Sequence, residues 1–228
     1  TPRRVGEDGW ELSIKALIDN ADCSHKARFT LIDADGNEKA STIADLRPII
    51  SAKLPVEDPV LWNGRKNPYL YTVRCEIFDS TTQEVTDNID IRTGLREYHI
   101  DSHKGFFLNG EHIKLHGVSR HQDRENMGNA ITEKQHAEDV KIILDVGANS
   151  VRLAHYQQNS YFYDLCDESG LLVWAEVPVI SRFSPKRNEN AEQQLVELIK
   201  QNYNHPSIFC WGIENEITIA GSTSKKLI

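Results

Sequence analysis

Asn215 and Glu216 stand side by side just past the apolar run Ile208-Phe209-Cys210-Trp211, separated from it by Gly212-Ile213-Glu214, and the run is itself preceded by Asn204-His205-Pro206-Ser207. Pro206 excludes a continuing helix, and a short run with no period-2 alternation suits a parallel strand buried on both faces. An amide and a carboxylate just past the carboxyl end of such a strand can do acid/base chemistry on a bound substrate, since catalytic groups of a (β/α) barrel gather on that rim. The plainer reading is a helix cap with its first-turn acid. Three further segments place polar groups where strands should end: Arg120-His121-Gln122-Asp123, Arg152 with His155-Tyr156, and Glu176. Taken singly, each histidine reads as an ordinary loop residue and Arg152 as an ion-pair partner for Glu176. Recurrence at successive strand ends favours one shared rim.

The elements that would position these groups follow in order. Ile113–Val118 reads as a strand, and Thr132-Glu133-Lys134-Gln135 is a capping-box signature opening a helix that carries Val140, Ile143 and Leu144 and stops at Gly147. A strand at Asn149–Ala154, a helix from about Tyr161 to Glu168 ending at Gly170, a strand at Leu171–Glu176, a polar loop with Pro185, a helix from about Ala191 to Tyr203 and the strand at Ile208 complete the series. Such βα repeats make a parallel sheet, either doubly wound or half of a barrel. No G-x-G-x-x-G or P-loop is present, which lowers the doubly wound option.

The first ninety-odd positions read differently. Trp10–Ile18 alternates apolar and polar residues, Phe29–Ile32 runs into the turn chemistry of Asp33–Asn37, and strands follow at Ile49–Leu54 and Leu70–Phe78. This spacing suggests an immunoglobulin-like β-sandwich. Between these strands the aromatic segment Pro59–Tyr71 could stack on sugar rings, although packing of the sandwich against a neighbouring domain is the favoured reading. Asn109-Gly110 marks a hairpin. The predicted division is residues 1–95 for the sandwich and 96–228 for the βα part.

Composition sets bounds. Of 228 residues, 39% are hydrophobic and 26% charged, ordinary for a chain with a packed core. A net charge of −8 and a pI near 5.6 argue against nucleic acid or an anionic membrane as partner. No stretch reaches the ~18 apolar residues of a membrane helix. Cys23, Cys75, Cys166 and Cys210 show no metal-binding spacing and fit free thiols, with Cys75, Cys166 and Cys210 buried, in a reducing compartment. The opening Thr1-Pro2-Arg3-Arg4 lacks an initiator methionine, so the chain reads as a piece of a longer protein, its compartment open between cytoplasm and periplasm.

Together His116–Asp123, Asn149–Tyr156, Trp174-Ala175-Glu176-Val177-Pro178 and Asn204–Glu216 resemble glycoside hydrolase family 2, and within it the β-galactosidases of carbohydrate metabolism. The resemblance covers essentially the whole chain. It implies an immunoglobulin-like β-sandwich followed by a (β/α)8 TIM barrel, here truncated after about four βα units. It implies a retaining hydrolase of terminal β-D-galactosides or related oligosaccharides, with β-glucuronidase, β-mannosidase or a non-catalytic carbohydrate-binding module as alternatives. By position, Glu216 matches the acid/base and Asn215 the residue binding the sugar 2-hydroxyl. His121 and His155 match substrate-binding histidines, Glu176 a further pocket carboxylate, and Arg152 the arginine that orients the nucleophile.

Two departures carry expectations of their own. Magnesium-binding members carry a carboxylate and a histidine where Ile180 and Arg182 stand here, so neither that metal nor any other cofactor is expected. The chain ends 12 residues after Glu216, and the nucleophile of the family comes from a later strand, so the isolated chain is expected to be inactive while the full-length protein, open to homo-oligomerisation, is not.

Overall fold

The computed structural model describes residues 1–6, 9–181 and 188–217; Pro185 and Arg182, singled out above, lie outside the described residues. The chain separates into two compact units, Thr1–Asn63 with Asn67–His112, and Gly64–Lys66 with Ile113–Ile228.

In the first unit, strands β1 (Pro2–Val5), β2 (Gly9–Leu17), β3 (His25–Ile32), β4 (Glu38–Asp45), β5 (Ile49–Glu57), β6 (Tyr71–Asp79) and β7 (Val85–Thr93) form two sheets, ordered β1-β2-β5 and β4-β3-β6-β7. All neighbouring strands run antiparallel. One core joins the sheets: Trp10, Leu12, Ile50, Leu54 and Val56 from the first meet Ala27, Phe29, Leu31 and Tyr71 from the second. That is the period-2 pattern of two inward faces. Strands β4 and β7 escape the sequence reading because they are sheet edges: every residue of β7 from Val85 to Asp90 is exposed, so no buried alternation marks it.

In the aromatic segment the sugar-stacking alternative falls. Trp62 is 0% and Tyr71 2% exposed, the Tyr69 hydroxyl accepts from Ala34 N–H at 3.1 Å, and the Tyr71 hydroxyl accepts from Val60 N–H at 2.9 Å. Tyr69 and Tyr71 belong to the first unit's core, and Trp62 has no face open to a sugar. A three-stranded sheet of β8 (Tyr98–Asp101), β9 (Gly105–Leu108) and β10 (Glu111–Ile113) follows, its hairpin turning through Asn109 and Gly110 at φ of 51° and 82°. Positive φ at both positions is what a primed two-residue turn needs, as the Asn-Gly pair predicts.

In the second unit, β11 (Gly117–Arg120), α1 (Glu133–Asp145), β12 (Ser150–Leu153), α2 (Ser160–Ser169), β13 (Leu172–Glu176), α3 (Asn188–Asn202) and β14 (Ile208–Gly212) alternate, and the sheet runs β11-β12-β13-β14, all parallel. The first strand starts later than Ile113: residues 114–116 bridge the hairpin sheet to this one, tied down by Asn149, whose side chain donates to Lys114 O at 2.9 Å and accepts from His116 N–H at 2.7 Å. The Gln135 side chain accepts from Thr132 N–H at 2.9 Å, as its capping spacing predicts. Helix α2 opens on Asn159, which accepts from Tyr161 N–H at 2.9 Å, and closes at Gly170. Helix α3 begins at Asn188, three positions before the predicted Ala191.

Register fixes which side chains share a face. Val118 pairs with Val151 and Val151 with Val173, and these turn toward the helices, where Val140, Ile143, Phe162, Tyr163, Cys166 and Leu198 complete the core. The alternate positions Ser119, Arg152, Trp174 and Cys210 share the other face. Among the described residues no helix is long and apolar enough to cross a membrane. All four cysteines are free: Cys23 is exposed, Cys166 buried, and Cys75 and Cys210 only partly buried, less than the sequence suggests.

Candidate functional site

The carboxyl ends of β12, β13 and β14 bring four of the predicted residues into one hydrogen-bonded group. Arg152 Nε donates to Glu176 Oε1 at 2.5 Å, and Arg152 Nη2 donates to Asn215 Oδ1 at 2.7 Å. His155 Nδ1 lies 2.7 Å from Glu176 Oε2. The register makes this possible: Arg152 is level with Trp174, so Glu176, two residues further along β13, lies on the same face and one step nearer the rim. Glu176 is 1% exposed, with both carboxylate oxygens taken. A carboxylate that deep needs partners for both its oxygens.

His121 joins through its ring, 5.3 Å from that of His155 and nearly perpendicular to it. Two contacts hold the loops that carry these histidines: Gln122 N–H donates to the Tyr156 hydroxyl at 2.9 Å, and Asn159 N–H donates to Gln122 Oε1 at 2.7 Å. Asn215 is pinned by its backbone, donating to Val179 O at 2.8 Å and accepting from Ser181 N–H at 2.9 Å. It therefore prolongs the strand pairing, bridging Ile180. Glu216 follows with its side chain exposed and its backbone at φ of 55°. A left-handed conformation at a non-glycine residue is uncommon and gathers at functional sites.

Arg120 is not part of the rim. Its register places it opposite Leu153, on the helix face, where it is 6% exposed. There Nε and Nη2 donate to Asp139 at 3.0 and 2.8 Å, Nη2 also meets His136 Nδ1 at 2.9 Å, Nη1 donates to Gln158, and the guanidinium lies 3.9 Å from the centre of the Phe162 ring. Gln158 in turn donates to Arg120 O at 3.0 Å. This buried cluster ties α1 and the start of α2 to the end of β11. Its sequence signal is His136 sharing the apolar face of α1 with Val140 and Ile143 at helical spacing, with Asp139 one turn on.

Sequence reasoning also missed Trp174 and Gly212. Trp174 is 37% exposed, with the Arg152 guanidinium 5.0 Å from its ring centre. A Cβ at Gly212 would sit 2.4 Å from Trp174 Nε1 and 2.7 Å from Glu176 Cγ, so only glycine leaves room for both. Burial pushes the Cys210 thiol up, with the Glu176 charge adding to it.

Among the described residues one group has ligand atoms close enough to share a cation: Asp164, Asp167 and His205, within 4.8 Å of one another. Asp167 is already committed, with Oδ2 2.6 Å from His205 Nδ1 and Oδ1 accepting from Ser207 N–H at 3.1 Å. Both partners belong to the segment that enters β14, at the end of the strand opposite Asn215.

A sequence profile described as "Glycosyl hydrolases family 2, TIM barrel domain" matches residues 100–228, and one described as "Glycosyl hydrolases family 2" matches residues 2–96. The chain belongs to glycosyl hydrolase family 2. It carries the immunoglobulin-like domain and a portion of the TIM barrel of that family. A β-glucuronidase of Bacteroides fragilis is 45% identical over 177 residues, covering 74% of this chain and 25% of the relative. A β-galactosidase of Thermoanaerobacter pseudethanolicus is 32% identical over 209 residues, covering 89% of this chain and 28% of the relative. The crystal structure of an FMN-binding β-glucuronidase from Faecalibacterium prausnitzii superposes on the whole of this chain with a TM-score of 0.94 and 39% identity, over 35% of its own length. The chain thus spans about a quarter to a third of the relatives it matches.

Proposed function

We propose that this family 2 chain supplies the acid/base half of a retaining β-glycoside hydrolase. The observation that supports this is the Arg152 network, which holds Asn215, and so the residue after it, at the rim where β13 and β14 end. With Oδ1 of Asn215 turned to Arg152, the amide nitrogen remains to donate to a sugar 2-hydroxyl. Glu216 protonates the glycosidic oxygen as the bond breaks and then takes a proton from the attacking water. His121 and His155 hold sugar hydroxyls. Arg152, with Nε and Nη2 committed, keeps Nη1 to orient the nucleophile and hold it ionised.

The nucleophile must be a second carboxylate about 5 Å from the first. Glu176 does not fit, since both its oxygens are bonded within the network, and Glu214 shares a strand end with Glu216. We therefore assign the nucleophile to no described residue and expect the 228-residue chain alone to be inactive. We also propose that the reaction needs no magnesium: Ile180, an apolar side chain 41% exposed, stands where metal-binding members have a carboxylate.

Two substrate classes stand forward. The rim histidines favour terminal β-D-galactosides, and the 45% identity to a β-glucuronidase favours β-D-glucuronides. Turnover of 4-nitrophenyl β-D-galactoside, glucuronide and mannoside by the full-length protein separates them. Glu216→Gln should lower kcat/KM by about 10²–10⁴ on an alkyl glycoside of the hydrolysed sugar, and far less on a dinitrophenyl glycoside, whose leaving group needs no proton, while kcat on the latter still falls because the second step has lost its base. Saturable sugar binding without turnover of any of them would point to a non-catalytic carbohydrate-binding module instead. Wild-type rates in Glu216→Gln would remove that residue from the mechanism.

A further inference from the structure

Glu176 holds two partners at once, and their chemistry fixes how each one meets a ligand. Its Oε1 accepts from Arg152 Nε at 2.5 Å, and its Oε2 lies 2.7 Å from His155 Nδ1. An ionised carboxylate only accepts, so Nδ1 must carry a proton. A neutral imidazole has one N–H, and with it on Nδ1 the other nitrogen, Nε2, is left as a lone pair on the far side of the ring. Arg152 Nη2 gives one of its two protons to Asn215 Oδ1 at 2.7 Å and lies 3.4 Å from the same Nδ1, so the shorter contact of Nδ1 with Glu176 Oε2, at 2.7 Å, sets the tautomer.

We propose that Glu176 is a positioning residue that touches no sugar. It sets His155 in the Nδ1–H tautomer, so that Nε2 accepts the proton of a ligand hydroxyl. Through Arg152 it also turns Asn215 to offer its amide nitrogen as a donor. The pair is then one acceptor and one donor, suited to two hydroxyls of one sugar ring. A ligand carboxylate is unwelcome at His155 Nε2, where two lone pairs would face each other. A sugar acid would have to place its carboxylate elsewhere in the pocket. This inference rests on the reading of the rim as a glycoside site, and its burial supports it: Glu176 is 1% exposed, while the His155 side chain is 20% exposed.

Glu176→Gln tests it without a change of size. Arg152 Nε can only donate, so the new amide must turn its oxygen to Arg152 and its NH₂ to His155. His155 Nδ1 must then accept, and the ring proton moves to Nε2. The full-length protein with ¹⁵N-labelled histidine, at a pH of about 8, above the ordinary histidine range, reports the tautomer through couplings to the ring carbon-bound protons. The His155 signal is the one lost in His155→Asn.

The expected result is Nδ1–H in the wild type, Nε2–H in Glu176→Gln, and a fall in kcat/KM on the hydrolysed nitrophenyl glycoside of about 10- to 100-fold. A wild-type His155 protonated at Nε2, a Glu176→Gln variant that keeps Nδ1–H, or an unchanged kcat/KM would each overturn it. If the wild type shows Nδ1–H yet hydrolyses none of the glycosides, the glycosidase reading falls and the tautomer assignment stands.

Discussion

Arg152 and Glu176 face each other across neighbouring parallel strands, 2.5 Å apart, at the point where a buried carboxylate has no water to solvate it. Two further side chains of the rim are tied to this contact. The same guanidinium holds Asn215, the same carboxylate holds His155, and the Trp174 ring lies 5.0 Å from the guanidinium.

Removing the arginine should therefore cost more than one hydrogen bond. Arg152→Met leaves Glu176 charged, buried and short of one partner, and breaking a buried pair from one side costs about 3–5 kcal/mol. Arg152→Lys restores charge but not the fork that reaches two acceptors, so it should recover only part of the loss. Urea denaturation of the single variants and of Arg152→Met with Glu176→Gln checks this. The double variant should lose less than the sum of the singles, because the stranded charge is gone. Strict additivity would show the pair to be energetically idle.

Gly212 is the floor under that pair. Gly212→Ala adds a methyl group 2.4 Å from Trp174 Nε1 and 2.7 Å from Glu176 Cγ, neither of them the loose end of a long side chain. Overpacking of this kind costs about 1–3 kcal/mol. A lowered melting temperature together with a changed tryptophan emission is the expected outcome. An unchanged melting temperature would mean that both side chains can shift freely.

The sequence made the rim legible because β12, β13 and β14 are short apolar runs whose ends are abruptly polar, and because Thr132, Gln135 and Gly170 punctuate the helices by local rules. It mistook Arg120 for a rim residue, although period-2 parity turns Arg120 and Arg152 to opposite faces once the register is known. Register depends on pairing between distant segments, which a single chain does not display. The crowding at Gly212 was hidden for the same reason, since it arises from Trp174 and Glu176 on the neighbouring strand. Edge strand β7 lacks the buried alternation that reveals a strand, and in β4 the inward positions are Ala40, Thr42 and Ala44 while Ile43 faces out, so its alternation is not one of hydrophobicity; the Asn109-Gly110 turn, by contrast, is set by its own two residues.

Thiol reactivity should rank by burial. Cys23 is exposed, while burial pushes the thiols of Cys75, Cys166 and Cys210 above their ordinary range and so depletes the reactive thiolate. Iodoacetamide followed by peptide mass spectrometry should find Cys23 modified first, and Cys23→Ser should lack that fast modification. Equal early labelling of Cys75 or Cys210 would contradict the burial described here.

His136 gives the fold a pH dependence of predictable sign. It is 1% exposed, and its Nδ1 lies 2.9 Å from Arg120 Nη2, a group that only donates, so Nδ1 must be the acceptor and the ring proton sits on Nε2. A second proton would have to enter facing a guanidinium. Burial first, and then the Arg120 charge, lowers the His136 pKa below its ordinary 6.5, with Asp139 and Glu133 opposing in part. The unfolded chain therefore binds the proton more readily than the folded one. The stability gained by keeping His136 neutral is complete above the unfolded value and is lost as pH falls through it toward the lower folded value. Urea midpoints measured between about pH 8 and 5.5 should decline below roughly 6.5 in the wild type. In His136→Gln, whose side-chain oxygen can still accept from Arg120, the decline over the same window should be shallower. Parallel curves for the two proteins would place the proton uptake on another residue.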